Sequence, residues 1–296
     1  MESLSKKIED VAKRRGFFWI SSDLYGGISG LYDYGHVGTL MKRKFENLWR
    51  RHFLALNDNF FEIETSHILP EKALIASGHK EHFVDPLVRC TKCGNQERAD
   101  HLLEERLNET FEGMTPKELS DLIKKHKITC PRCKGQFDDV GSLNMMFPII
   151  VGSSTPAYLR PETAQGAYVN FKRLFEVLRK TFPLGVAIVG KAFRNEISPR
   201  NVLLRMREFT QAELQIFFDP ETIAAHENFD SVKDYMLSLL PCNQRQSGKS
   251  VVISCSEAVQ RLKLPKMYVY YMAQMQMFYT NVLGIGHTLV RFKELE

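Results

Sequence analysis

Residues 191–213 read Lys191-Ala-Phe-Arg-Asn-Glu-Ile-Ser-Pro-Arg-Asn-Val-Leu-Leu-Arg-Met-Arg-Glu-Phe-Thr-Gln-Ala-Glu213. Side chains two apart on a strand share a face. Arg194 and Glu196 then point one way, and so do Arg205, Arg207, Phe209, Gln211 and Glu213. Ser198-Pro199-Arg200-Asn201 between the two groups is a turn signal. The stretch is predicted to be an antiparallel strand-loop-strand that displays cations, an aromatic ring and carboxylates.

That set suits a nucleotide together with an amino acid. A guanidinium grips phosphate through a planar fork, an aromatic face stacks on a base, and a carboxylate holds an amino or ammonium group. Composition alone favours a plainer reading, an exposed salt-bridged hairpin. The chain has no G-x-x-x-x-G-K-[ST] loop and no strand–G-x-G-x-x-G–helix unit, and Gly26-Gly-Ile-Ser-Gly30 reads as a turn.

Working outward, Gly185-Val-Ala-Ile-Val189 suits a central strand, and Leu203–Phe218 reads as a strand region. A helix is expected to open near Thr163 and to end before Pro183. Upstream, Leu4, Ile8 and Val11 recur at helical spacing. A glycine-rich turn, Tyr25–Gly38, precedes a long helix expected over Thr39–Leu56, with Leu40, Phe45, Leu48, Trp49 and Phe53 as its apolar stripe. A strand over Phe60–Thr65 follows. Downstream, a strand is expected at Ser250–Ser254, and the Met- and aromatic-rich run Lys266–Leu283 reads as core or subunit interface.

Residues 86–141 read as an insertion bounded by two C-x-x-C pairs, Cys90/Cys93 and Cys130/Cys133. Each pair aims two thiolates at one centre, and two such knuckles complete a tetrahedral S₄ shell. Residues 94–129 between them number 36, so helical structure must fill the gap. Thr115-Pro116-Lys117-Glu118 has the form of a helix start. Structural zinc is expected, with two reduced, unmetallated pairs as the alternative. Four thiolates leave no open position for metal catalysis.

The 296 residues carry 40 Lys plus Arg against 35 Asp plus Glu, a net charge of +5. That mild excess permits a polyanionic partner without requiring one. No apolar run approaches the roughly 20 residues of a membrane helix, and the charged stretch Met1–Arg15 lacks the apolar segment of a secretory signal. A reducing compartment, the cytoplasm, is the expectation.

The order F-R-x-E, loop, R-x-x-x-F resembles motif 2 of class II aminoacyl-tRNA synthetases. The long helix, strand and Pro70 resemble motif 1, the dimer element of that class. Arg160-Pro-Glu-Thr-Ala-Gln-Gly166, Arg98-Ala-Asp-His101, Phe209-Thr-Gln-Ala-Glu213 and Tyr25-Gly-Gly-Ile-Ser-Gly-Leu-Tyr-Asp-Tyr34 together resemble the glycyl-tRNA synthetase family, of the archaeal and eukaryotic-like dimeric type. His36 departs from it, since the family usually has Pro after Asp-Tyr-Gly.

The resemblance implies an α+β fold, a class II antiparallel sheet flanked by helices with a zinc-binding insertion. The expected division is catalytic core with motif 1 at 1–85, insertion at 86–141, core with motif 2 at 142–220 and a mixed continuation at 221–296. It implies glycine activation by ATP with Mg²⁺, then transfer to the acceptor end of tRNA(Gly) by a homodimer.

The implied roles are specific. Arg194 would hold the α-phosphate and the reacting carboxylate, Glu196 the adenine amino group, Arg205 the γ-phosphate, and Phe209 would stack on adenine; Asn195 and Met206 complete the ATP set. Glu162, Gln211 and Glu213 would bind glycine, with Arg98 nearby. Plain alternatives are packing for Phe209, a first-turn helix acid for Glu162 and a surface cation for Arg98. Motif 3 and the anticodon domain do not follow within Arg291–Glu296, so the chain is expected to need a further C-terminal part, in the same or a separate polypeptide, to aminoacylate. The competing reading is a zinc-bearing tRNA-binding paralogue or regulator.

Overall fold

A computed structural model describes residues 4–107, 109, 111, 113–179, 181–199, 202–244 and 248–294. It is a mixed α+β structure that divides into two compact units. One comprises Met1–Lys42, Glu64–Val169 and Ile188–Glu213, and the other Arg43–Ile63, Asn170–Ala187 and Leu214–Glu296.

In the first unit, the amphipathic helix Leu4–Arg14 forms as its spacing predicts. Strands Phe18–Ile20 and Tyr32–Tyr34 pair antiparallel. The long helix begins at His36, three residues before the expected Thr39, and ends at Phe53. Its early start is enforced by packing: a Cβ on Gly38 would stand 1.9 Å from the Phe17 carbonyl oxygen, so only glycine lets the chain coil there. Thr39 ties the first turn back through its hydroxyl to the Tyr34 carbonyl at 3.1 Å.

A three-stranded antiparallel sheet, Ile68–Pro70, Thr155–Leu159 and Phe147–Val151, lies in the same unit. A second, Val84–Arg89 with Gln96–Arg98 and Gly141–Asn144, adjoins the two cysteine pairs. Helices Ala99–Leu107 and Pro116–Lys125 bury Ala99, Leu102, Leu103, Leu119 and Ile123 around Val88. Thr115 and Glu118 form the reciprocal capping box that the sequence predicts.

The expected central strand runs Leu184–Phe193 and neighbours strand Glu208–Phe217. The latter starts later than the predicted Leu203, because Val202–Leu204 coils into a 3₁₀ turn. Ser198 and Pro199 leave the strand as the turn signal requires; Arg200 and Asn201 lie outside the described residues. The helix Ala164–Val177 opens one residue after Thr163.

In the second unit, strand Phe60–Glu62 is shorter than the predicted Phe60–Thr65 and pairs parallel with Gly185–Ala187. That pairing was not legible beforehand, since parallel partners are joined by long crossovers. Phe171, Phe175, Phe182 and Phe217 form an aromatic stack, with Phe171 and Phe217 centroids 4.3 Å apart. Strands Met236–Leu240 and Val251–Ser254 pair antiparallel, and Phe292–Lys293 pairs parallel with the former. The run Lys266–Leu283 forms helix Lys266–Met277 and a π turn, Phe278–Val282. It buries Met267, Val269, Tyr270, Ala273 and Phe278, in keeping with its reading as core. No helix among the described residues is long and apolar enough to cross a membrane.

Candidate active site

Arg194 follows directly on strand Leu184–Phe193, and its backbone N–H donates to the Arg207 carbonyl at 2.9 Å. Its side chain is fixed from three sides. Nε donates to the Pro161 carbonyl at 3.1 Å, and the guanidinium carbon lies 5.3 Å from the Phe209 centroid and 5.4 Å from that of Phe83. Two aromatic faces thus hold one cation, at distances where cation–π attraction acts.

The turn Glu162–Gln165 gathers the acidic groups. The Thr163 hydroxyl donates to a Glu213 carboxylate oxygen, and the Thr163 N–H donates to Gln211 Oε1 at 3.1 Å. Glu162 Oε1 accepts from Gln165 Nε2 at 2.7 Å, with His79 Nε2 3.4 Å away. Glu162 and Glu213 are therefore anchored by one short segment that also carries the carbonyl holding Arg194.

Beneath this turn lies Arg160, only 2% exposed. Its Nε donates to the Lys191 carbonyl at 2.6 Å, and Nη1 donates to Thr65 Oγ1 at 2.8 Å and to the Thr65 carbonyl at 3.2 Å. Burial lowers its pKa, opposed by the charges of Glu213 and Glu64. A Cβ on Gly190 would stand 2.3 Å from Nη2, so the glycine leaves room for the buried guanidinium.

A second set of ionic groups centres on Arg98. Arg98 forks onto Asp100, with Nε at 3.0 Å and Nη2 at 2.5 Å, and reaches Asp85 through Nη1 at 3.0 Å. Its three paired nitrogens set aside the reading as a bare surface cation. Burial raises the pKa of Asp85. Asp100 is also pushed upward by burial, but its hydrogen bonds from Arg98 prevail and the net shift is downward. Arg205 Nη1 meets His101 Nδ1 at 3.1 Å, and its Nε lies 3.5 Å from Glu196 Oε2.

Glu196 is 7% exposed, and its Oε2 is buried without a hydrogen-bond partner among the described residues. Burial raises its pKa; Arg205 opposes that and Asp85 reinforces it. A largely buried carboxylate with spare accepting capacity suits an amino donor. Asn195 is placed by its N–H, which donates to the Met145 carbonyl at 2.6 Å, and Met206 is half-buried beside Arg205.

Arg207 departs from the expected face. Its Nε and Nη2 donate to the Glu196 carbonyl at 3.1 and 2.7 Å, and Nη1 donates to that of Ser29 at 2.8 Å. The strand alternation ends between Phe193 and Glu208, so this arginine clamps a turn.

The four cysteine sulfurs lie within 4.8 Å of one another. Cys90 and Cys133 Sγ are 3.5 Å apart, and Cys93 and Cys130 Sγ 3.7 Å. A tetrahedron with Zn–S bonds of about 2.3 Å has edges of about 3.8 Å, so the cluster has the size of a zinc shell. The knuckles repeat one hydrogen-bond pattern: Cys90 N–H to Asn95 O and Gly94 N–H to Cys90 O, then Cys130 N–H to Gly135 O and Lys134 N–H to Cys130 O. A Cβ on Gly135 would stand 3.0 Å from Cys90 Sγ. Backbone N–H groups of Cys93 and Lys92 lower the Cys90 thiol to about 6, whereas the Cys93 sulfur pushes that of Cys133 up to about 12. Held as four thiolates, sulfurs this close would need a cation between them.

Comparison with known proteins bears on the whole chain. No protein-family model matches the chain. It is 45% identical over 291 residues to a glycine–tRNA ligase of Pyrococcus furiosus, 46% to that of Thermococcus kodakarensis and 42% over 297 residues to that of Methanococcus vannielii. The chain is homologous to part of the glycine–tRNA ligases. Each alignment covers 97% of this chain and 50–51% of the relative, so the chain spans about half the length of the curated relatives it matches. Among solved structures, the RNA binding domain of threonyl-tRNA synthetase from Cryptosporidium parvum Iowa II is similar with a TM-score of 0.48 and 18% identity, over 78% of this chain and 44% of that one.

Several residues of the candidate site escaped the sequence reading. Arg160 and Thr163 sit inside the quoted Arg160–Gly166 run, and Asp100 and His101 inside Arg98–His101; the runs signalled them without assigning each a task. Asp85, His79 and Phe83 carry no local signal and join the site through tertiary packing alone.

Proposed function

We propose that this chain carries the glycyl-adenylate site of a glycine–tRNA ligase. The observation that carries the reading is the anchoring of Glu162 and Glu213 by one turn whose Pro161 carbonyl also holds Arg194. A carboxylate pair meets an ammonium, and a guanidinium fixed beside it meets a carboxylate and a phosphate. Glycine has no side chain to grip, so its affinity must come from these charged ends. A missing methylene is worth only about 1–3 kcal/mol in binding, so larger amino acids must be kept out by a wall.

In the reaction, a glycine carboxylate oxygen attacks the α-phosphorus of ATP, and the bond to the pyrophosphate oxygen breaks. Arg194 neutralises charge at the α-phosphate and orients the carboxylate. Glu196 accepts from the adenine amino group, Phe209 stacks on the base, and Arg205 meets the γ-phosphate, with Asn195 and Met206 lining the nucleotide. Glu162, Gln211 and Glu213 bind glycine, with Arg98 nearby. In-line transfer of this kind relies on positioning and charge neutralisation more than on a protein nucleophile. Mg²⁺ bound with the nucleotide would balance the charge of the triphosphate. The ribose hydroxyl oxygen of the tRNA terminus then attacks the glycyl carbonyl carbon, the acyl–phosphate bond breaks, and AMP leaves as the hydroxyl gives up its proton.

The same reading assigns structural Zn²⁺ to Cys90, Cys93, Cys130 and Cys133, a homodimer to the long-helix element, the cytoplasm as location and a class II sheet as scaffold. It retains residues 86–141 as an insertion within a core formed by 1–85 and 142–220, with 221–296 as a continuation, and a further polypeptide segment that completes aminoacylation.

Calorimetry with glycine in the presence of a non-hydrolysable ATP analogue tests it. Glycine is expected to bind the wild type saturably and to lose binding in Glu162→Ala and Glu213→Ala. Binding of tRNA with no saturable glycine site would favour a tRNA-binding regulator instead.

A further inference from the structure

The contact between His101 and Arg205 is informative because arginine is always protonated in proteins and can only donate. Arg205 Nη1 lies 3.1 Å from His101 Nδ1. Nδ1 must therefore present a lone pair, which fixes the imidazole as the neutral tautomer with its proton on Nε2. His101 sits in the first turn of helix Ala99–Leu107, and its own N–H donates to Asp100 Oδ1 at 2.9 Å. That same carboxylate is forked by Arg98, whose other nitrogen is held by Asp85. The backbone of His101 is thus tied to an ionic anchor.

On its other side, Arg205 faces Glu196, but Nε to Oε2 is 3.5 Å and poorly aligned. Arg205 comes just after the 3₁₀ turn Val202–Leu204, outside both strands. Among the described residues no strand pairing fixes its backbone, and its contact with Glu196 is long. The imidazole makes the better-formed contact.

We infer that His101 is a positioning residue that aims Arg205 at the polyphosphate of a bound nucleotide by accepting its Nη1–H as a neutral imidazole. The inference rests on the reading above that Arg205 meets the triphosphate. Protonating His101 would remove the acceptor and place a second cation against Arg205. The groups facing the ring act in both senses: burial, Arg98 and Arg205 hold its pKa below the ordinary value, while Asp100 and Glu104 raise it, and Asp85 adds a carboxylate close by. The net shift is downward, so the neutral form is the one present at pH 7.

Two measurements on the full chain test this. The first is nitrogen-15 NMR of the histidine side chains, with His101→Asn used to assign the signal. It is expected to show His101 neutral at pH 7 with the proton on Nε2; a protonated ring, or a proton on Nδ1, overturns the inference whatever the protein binds. The second compares affinities for a non-hydrolysable ATP analogue and for AMP. His101→Ala is expected to weaken the triphosphate about tenfold, or 1.4 kcal/mol, and to leave AMP unchanged. His101→Asn places an amide oxygen near the position of Nδ1 and should restore most of the loss. Equal weakening of both nucleotides, or no rescue by Asn, overturns positioning and leaves a merely structural histidine. Failure of the wild type to bind either nucleotide sinks the adenylate-site reading itself, while the tautomer result still decides the His101–Arg205 contact.

Discussion

The guanidinium carbon of Arg194 lies 5.3 Å from the ring centroid of Phe209. Arg194 directly follows strand Leu184–Phe193 and Phe209 lies in strand Glu208–Phe217, and the backbone bond from Arg194 N–H to Arg207 O ties the two segments together. The ring that is assigned to adenine also steadies the cation that is assigned to the α-phosphate.

Replacing Phe209 should therefore weaken the nucleotide. Base–aromatic stacking is worth about 1–3 kcal/mol per base by alanine substitution. Phe209→Ala is expected to raise the dissociation constant of an ATP analogue about tenfold or more, with Phe209→Tyr close to wild type. An unchanged dissociation constant in Phe209→Ala would return Phe209 to plain packing.

Arg160 and Gly190 should behave as one unit. Gly190→Ala puts a methyl 2.3 Å from Nη2 of a guanidinium already pinned by the Lys191 and Thr65 oxygens. Overpacking of this kind costs about 1–3 kcal/mol. Arg160→Met removes the donors and leaves buried carbonyls unpaired, which costs a similar amount per group. Thermal melts should show lower Tm for both variants. The double variant should lose less than the sum, because the methyl no longer meets a guanidinium. Strict additivity would show that the two sites are independent.

The legible parts of this molecule were those governed by local rules. Cys90-x-x-Cys93 and Cys130-x-x-Cys133 fixed their own turns, Thr115 and Glu118 closed a capping box, and Phe209, Gln211 and Glu213 lie within one strand as their alternation requires. What failed locally failed for tertiary reasons. Arg207 left its expected face because the ladder ends before it, and the helix at His36 starts early because Gly38 nests against Phe17. Phe83 and Asp85 reach the site from a distant part of the chain, and no pattern around them announces it.

Metal content is a direct test of the cysteine cluster. Purified protein is expected to contain one zinc per chain by elemental mass spectrometry. Cys90→Ser, or prolonged chelation, should lower Tm, because binding energy of a structural metal contributes to folding. Protein free of zinc with an unchanged melt after chelation would support reduced, unmetallated pairs.

The acid dependence of stability should carry the mark of Glu196. Burial raises its pKa above the ordinary 4.5. In the window from 4.5 up to that raised value, the folded state binds more proton than the unfolded, so Glu196 makes stability fall as pH rises. Glu196→Gln is expected to gain Tm relative to wild type at pH 7 and to lose that advantage below pH 4.5. Asp100 runs the opposite way: its lowered pKa contributes stability above the ordinary 3.8 that is lost as pH falls through the folded value. A Glu196→Gln difference that is the same at both pH values would remove burial as the cause of the shift.

The central claim is that one short turn and two strand segments form a glycyl-adenylate site. Titration calorimetry with a non-hydrolysable glycyl-adenylate analogue tests it most directly. The wild-type chain should bind one analogue per chain saturably, and Arg194→Ala and Glu213→Ala, with unchanged circular dichroism, should each lose at least tenfold in affinity, about 1.4 kcal/mol. No saturable binding, or affinity unmoved by both substitutions, would contradict the account.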